Sequence, residues 1–250
     1  MGSLTIVGLG PARPEHMTAE AQDLLKNASQ LRWYALAHAR EMAAQINPEI
    51  SIASLDYLYN TPTVDRPTAY RDLAKMMVRK AFVDDLDVGY IVAGSPLFYN
   101  DAVLFIRRLC SEQGLSYRLV HGMSFVDLVL DQVGWSGWHG LQLYSAWNIA
   151  RDNMQLSTAA PALLCQLGEF TAASDALNPE GSPIMLTELR EALLKHYPSD
   201  HLVSILYSSG KPDYHSLSKT LPLSDLASAP IPVYSNLWVP SIDDPSEGAL

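Results

Sequence analysis

Cysteine is nearly absent from this chain: Cys110 and Cys165 are the only two among 250 residues. Two thiols make no disulfide framework, so the chain reads as cytoplasmic and both cysteines as small buried hydrophobes. Long apolar runs are missing as well. None approaches the 18 or so residues a bilayer span needs, so no membrane partner is expected. The opening Met1-Gly2-Ser3-Leu4 has no basic region, so no signal peptide is expected, and Ile6 stands where a myristoylation motif wants Ser or Thr. Positive charge is scarce, with 17 Lys and Arg against 27 Asp and Glu and a net charge of −10. That balance argues against nucleic acid as a partner, although Arg107-Arg108 forms a local basic pair. Seven histidines are scattered without paired ligand spacing, so no metal is expected. Internal repeats and low-complexity tracts are lacking too.

What remains is a globular composition, 48% hydrophobic and 18% charged, long enough for one large domain or two small ones. Strand patterns at 4–9, 31–36, 51–55, 88–93 and 117–120 alternate with helical patterns. These begin after Thr18, a suitable N-cap, and run over 38–46, 67–83 and 100–112, with another after Ser124. Such alternation predicts a mostly parallel sheet with helices. Beyond Gly134-Trp135-Ser136-Gly137-Trp138 the pattern changes. Strands are predicted at 141–143, 163–166, 203–207 and 233–239, with helices at 186–196 and 223–227 and loops at 178–183 and 208–213. We therefore expect an α/β protein of two domains, residues 1–122 and 123–240, followed by a disordered tail at 241–250.

Three strand-to-helix joints carry glycine: Gly8-Leu9-Gly10-Pro11, Ala93-Gly94-Ser95-Pro96 and His121-Gly122-Met123-Ser124. The first lacks the third glycine of a dinucleotide fingerprint, and alone it is an ordinary connector. Together the three put close-approach backbone at the carboxyl ends of parallel strands, where ligands of such sheets bind.

The stretch from Tyr57 to Tyr70 has no core periodicity. It interleaves three phenols, Tyr57, Tyr59 and Tyr70, with two prolines and Arg66. Arg66 and Tyr70 are four apart at the start of a predicted helix, hence nearly on one face. These residues fit either a surface loop with a tyrosine packed beneath it or a reactive phenol beside a permanent cation.

In its glycine joints, in Gly94-Ser95-Pro96-Leu97-Phe98, in Leu163-Leu164-Cys165-Gln166-Leu167 and in Ser235-Asn236-Leu237-Trp238-Val239-Pro240, the chain resembles the tetrapyrrole methylase superfamily of S-adenosylmethionine-dependent methyltransferases. The resemblance covers roughly residues 3–240. It implies a two-domain tetrapyrrole-methylase-like fold, usually a homodimer, with the cofactor held in the cleft between domains and S-adenosylhomocysteine as product. It further implies cofactor contacts at Gly8, Gly10 and Pro11, at Gly94, Ser95, Pro96 and Phe98, and at Ser124 and Phe125. Later contacts would fall at Tyr144, Gln166 and Leu167, and at Ser235 and Asn236.

The family leaves the methyl acceptor open. The Tyr57/Tyr59 pair followed by Arg66-x-x-x-Tyr70 is similar to the borosin peptide α-N-methyltransferases of this superfamily. That similarity implies methylation of backbone amides in a separate precursor peptide, as in split borosins. An amide N–H is a very weak acid, so the transfer needs proton removal and an oxyanion donor. Tyr70 would be the base, Arg66 the cation that favours its phenolate, and Tyr57 or Tyr59 the donor to the carbonyl oxygen. The glycine loop at 8–11 stands closer to the tetrapyrrole enzymes. A tetrapyrrole or other small acceptor, or a catalytically silent binding domain, therefore remains the alternative.

Overall fold

The computed structural model describes residues 2–11, 13–58, 66–135, 140–152, 154–170, 183–207, 217–232 and 235–242. Tyr59, the predicted loop at 208–213, most of that at 178–183 and most of the expected tail lie outside these residues. The chain forms two compact units, one running to Asp127 and the other from Leu128 onward.

In the first unit β1 (Leu4–Gly8), β2 (Arg32–Ala35), β3 (Ile52–Ser54), β4 (Val88–Val92) and β5 (Arg118–Val120) form a sheet in the order β3-β2-β4-β1-β5. Every pairing is parallel. β1 and β4 are buried along their whole length, as apolar strands covered on both faces must be.

Helices α1 (Ala19–Lys26) and α2 (Ala37–Ile46) cover one face, and α3 (Arg66–Phe82) and α4 (Asp101–Gln113) the other. The side-chain alternation of the strands shows this. Val7, Trp33 and Ile91 join Leu25 and Met42 in one cluster. Ile6, Tyr90 and Val92 join Leu73, Met77 and Ile106 in the other. Right-handed crossovers account for the arrangement: the chain steps one way from β1 through β2 to β3 on the first face, then returns through β4 to β5 on the second. The connections leaving the neighbours β1 and β4 therefore run in opposite directions and cross.

Local signals set the helix ends. The Thr18 hydroxyl accepts from Ala21 N–H at 3.2 Å, and the Asn100 side chain accepts from Val103 N–H at 3.1 Å. Gly114, at φ +64°, closes α4 in the left-handed conformation. α3 starts one residue before Pro67, which occupies the first turn, where its missing N–H costs nothing.

The division between units falls within α5 (Phe125–Gln132). The second unit holds β6 (Gln142–Ser145), α6 (Ala146–Arg151), β7 (Ala162–Cys165), α7 (Pro183–Leu193), β8 (Leu202–Tyr207), β9 (Leu217–Pro222) and β10 (Ser235–Val239). Its sheet runs β6-β7-β10-β8-β9, with β6 and β7 parallel and the remaining pairs antiparallel. Leu164, Val203, Ile205, Leu237 and Val239 bury one face against Ile149, Leu189 and Leu193 of α6 and α7.

Two elements of this unit carried no sequence signal, and one was shifted. α6 is too short to show a period. β9 mixes Ser218, Lys219 and Thr220 with leucines and exists as an edge strand because β8 pairs with it, Thr220 and Ser204 hydroxyls meeting at 2.8 Å. α7 begins three residues earlier than the apolar spacing predicts and ends earlier. Pro183 suits a first turn, and past Leu193 the chain tightens into turns back to Arg190 and Leu193.

Candidate active site

The three glycine joints of the first unit meet where the connections of β1 and β4 cross. Gly10 and Gly94 form an isolated antiparallel bridge, Gly94 N–H donating to Gly10 O at 2.7 Å and Gly10 N–H to Gly94 O at 3.3 Å. A Cβ on Gly122 would lie 2.5 Å from Gly94 O and 2.7 Å from the Gly8 carbonyl carbon. One on Gly8 would lie 2.5 Å from the Pro96 ring and 2.8 Å from Gly122 N. No side chain fits between backbones this close. Gly94 differs: its φ is +75°, and nothing lies within 4 Å of where its Cβ would be. Gly8 and Gly122 are thus required by one another, while the space beside the Gly94 Cα is open.

Around this crossing the expected contact residues are local and well held. Pro96 is buried. The Ser95 hydroxyl accepts from Leu97 N–H at 3.3 Å, and the Ser124 hydroxyl from Val126 N–H at 3.2 Å. The Phe98 ring packs edge-on against Phe125 at 5.5 Å and against Tyr99 at 4.6 Å. Tyr99 is held at φ +48°, uncommon for a residue with a Cβ. Beside the first loop stands His16, which the sequence did not mark as functional. A Cβ on Gly10 would come within 2.4 Å of the His16 carbonyl oxygen. The His16 Nδ1 is buried with no hydrogen-bond partner. Burial first, and then the nearby Arg13 charge, lower its pKa and favour the neutral ring, against a smaller opposing effect of Glu15.

After β3 a short 3-10 helix, Asp56–Leu58, carries Tyr57. Asp56 fixes this turn: its carboxylate accepts from Ala37 N–H at the start of α2 (2.9 Å), from Arg40 (2.7 Å) and from the Ser54 hydroxyl (2.6 Å). Partial burial pushes the Asp56 pKa up, but the Ser54 and Ala37 hydrogen bonds and the Arg40 charge outweigh it and hold the group below its ordinary value. Tyr57 is 58% exposed, and its hydroxyl donates to the Met76 sulfur at 3.3 Å.

Arg66 is the first residue of α3, and its side chain lies outside the described residues. Tyr70 is half-buried, packed against the cluster that contains Leu73, Ala74 and Met77. It therefore lies on the core-facing stripe of α3. Met76 is six residues further on, about 9 Å along the axis and on a different face. The contact holding the Tyr57 hydroxyl thus belongs to another turn of the helix than Tyr70.

In the second unit the expected contacts gather at one edge, where parallel β6 and β7 end and antiparallel β10 begins. Gln166, directly after β7, has φ +64°. Its N–H donates to Asn236 Oδ1 at 3.2 Å, and its side-chain oxygen accepts from the Ser145 hydroxyl at 3.3 Å. Asn236 and Ser235 are buried, and the Ser235 hydroxyl donates to Pro232 O at 2.7 Å. Leu167 is fully buried in the helix-covered core, and Tyr144 packs against that same core. Strand alternation puts Ser145 and Asn236 on the opposite face of the sheet. The structure so brings Gln166 and Asn236 together, leaves Tyr144 on the other side, and adds Ser145, one residue from a position the sequence had marked.

Residues 3–224 match the family described as Tetrapyrrole (Corrin/Porphyrin) Methylases. The chain belongs to the tetrapyrrole methylase family. Members of this family are methyltransferases that use S-adenosylmethionine, and the chain carries a domain of that kind. Among solved structures it is similar to a uroporphyrin-III C-methyltransferase from Thermus thermophilus, with a TM-score of 0.65 at 15% identity over 96% of this chain and 92% of that one. A diphthine synthase gives a TM-score of 0.60, also at 15% identity, over 95% and 89%. At this identity the likeness is one of fold.

Among curated proteins it is 24% identical, over 90% of its length, to a methyltransferase/ribosomally synthesized type I borosin cyclic peptide precursor of Mycena rosella, covering 55% of that protein. It is 26% identical, over 96% of its length, to a type II borosin counterpart of Phlebiopsis gigantea, covering 43%. The uncharacterized protein YabN of Bacillus subtilis is 22% identical over 90% of this chain and 42% of its own length. The chain spans about half the length of these curated relatives.

The residues present suit the cofactor of a tetrapyrrole methylase. Gly94 has open space beside its Cα, and Gln166 is a directed amide on a constrained turn. Each, in its own unit, is a feature a nucleoside site can use: room beside a backbone in the first, an oriented side-chain amide in the second. Among the described residues no group of three or more His, Cys, Asp or Glu could hold a metal ion, and no helix is long and apolar enough to cross a membrane.

Proposed function

We propose that this protein is an S-adenosylmethionine-dependent methyltransferase acting on backbone amide nitrogens of a separate precursor peptide, in the manner of a split borosin. The observation that carries the reading is the start of α3. The helix begins at Arg66, which sets Tyr70 one turn later on the same side. The borosin names of two relatives point to the same class of acceptor.

S-Adenosylmethionine, when bound, would supply an electrophilic methyl group. Tyr70 removes the amide proton as nitrogen becomes nucleophilic, and Arg66, whose charge cannot be lost, favours the phenolate form of that base. A phenol hydroxyl donates to the carbonyl oxygen as negative charge builds there. Because the Tyr57 hydroxyl is engaged with Met76, Tyr59 is the stronger candidate for this donor. The reading includes a homodimer, as the family resemblance implies, and a cytoplasmic location, the expectation drawn from the scarcity of cysteine.

A second reading has specific support. The loop Gly8-Leu9-Gly10-Pro11 and the fold match to a uroporphyrin-III C-methyltransferase suit a tetrapyrrole or another small acceptor. One experiment separates the two. The purified protein is incubated with S-adenosylmethionine and either candidate precursor peptides or a uroporphyrinogen-type ring, and products are examined by mass spectrometry. Added methyl groups located on backbone nitrogen support the peptide reading; methylation of the ring alone overturns it. A protein that fails to bind S-adenosylhomocysteine would be a silent binding domain.

A further inference from the structure

The turn at Gln166 is held in an uncommon way. Left-handed backbone is unfavourable for a residue with a Cβ, and such outliers persist where neighbouring groups over-determine them. Here two neighbours do so. Asn236, 4% exposed at the start of β10, accepts the Gln166 N–H through its Oδ1. Ser145, at the end of β6, donates its hydroxyl to the Gln166 side-chain oxygen.

Ser145 is also the N-cap residue of α6, and the ordinary use of a serine there is to accept a hydrogen bond from the helix's first turn. It makes no side-chain cap bond. Its hydroxyl hydrogen is directed across the end of the β6/β7 pair to Gln166 instead. Three strands thus contribute one residue each to a single short network, and the backbone and the side chain of Gln166 are fixed at the same time.

From this geometry we infer that Ser145 and Asn236 are positioning residues for the cofactor that act through Gln166 rather than by contact of their own. The inference rests on the proposed use of S-adenosylmethionine, and on Gln166 being the contact at this edge. Asn236 sets the left-handed turn and Ser145 sets the rotamer.

The test is a mutant cycle read by calorimetric titration of S-adenosylhomocysteine. Wild type, Ser145→Ala, Asn236→Ala, Gln166→Ala and the two double variants containing Gln166→Ala are compared, each with its thermal midpoint recorded without ligand. Ser145→Ala and Asn236→Ala should each weaken binding about tenfold, the size of one lost hydrogen bond that orders a contact. Each double variant should bind within about twofold of Gln166→Ala alone, because residues acting through one shared group are not additive. Losses that multiply would mean that Ser145 or Asn236 touches the ligand directly, and the positioning role is overturned. So it is if Ser145→Ala binds as wild type does, or if the affinity losses simply follow the midpoints without ligand. A wild-type protein that gives no binding heat removes the cofactor reading itself, a result distinct from any of these.

Discussion

At the scale of single residues, the candidate chemistry rests on Tyr70 and Arg66. Tyr70 faces the core side of α3 and is only half-buried. Replacing it with Phe keeps the ring that packs against Leu73 and Ala74 and removes only the hydroxyl. Tyr70→Phe should therefore abolish methyl transfer while leaving S-adenosylhomocysteine affinity within a few fold, measured by single-turnover mass spectrometry alongside calorimetry. Full turnover by that variant would sink the assignment of the base. Arg66→Lys keeps a positive charge but replaces a planar fork by a mobile ammonium. Activity should fall roughly 10–100-fold, in line with the 10²–10⁴ contribution of a well-poised general base. Tyr57→Phe tests the other end of the stretch. With its hydroxyl on Met76, its loss should change activity by less than Tyr70→Phe does.

At the scale of elements, the crossing of two connections explains more about the glycines than ligand binding does. A methyl on Gly122 would meet the backbone of Gly94, Gly8 and Gly10, none of which can turn aside. Gly122→Ala should cost about 1–3 kcal/mol of stability, the range for overpacking, read from urea midpoints at constant slope. The turn after β3 offers a second element-scale test. The folded Asp56 has a depressed pKa, so its contribution is present above the unfolded-state value of 3.8 and is lost as pH falls through the lower folded value. Asp56→Asn keeps an acceptor for Ala37 N–H but not the charge facing Arg40. The variant should be less stable than wild type at pH 7, and the gap should close as the pH is lowered below about 4. A gap independent of pH would rule out the charge as the cause.

At the scale of the whole molecule, the doubly wound first unit was legible because its central strands β1 and β4 are nearly continuous apolar runs and its first helix carries the Thr18 cap that the structure uses as such. The second unit was less legible. α6 is shorter than two turns, and β9 is an edge strand whose polar residues become a strand only through pairing with β8. The site divides in the same way. The glycine joints stood out as local motifs and Gln166 and Asn236 were marked only through the family resemblance, whereas Ser145, Asp56 and His16 are tied to residues 21, 19 and 6 positions away that no local pattern reveals. Cofactor binding gives a prediction at this scale that does not depend on the acceptor. A ligand that binds only the folded state at 100 times its Kd stabilises by about 2.7 kcal/mol. For a chain of this length that corresponds to a rise of roughly 5–10 °C in thermal midpoint. S-Adenosylhomocysteine should produce this rise in wild type and in Tyr70→Phe alike, since that substitution removes a proton acceptor and not a binding contact. Gln166→Ala should show a much smaller rise. If Tyr70→Phe lost the shift as well, its failure to methylate would report lost binding, and the proton-transfer role would have to be given up.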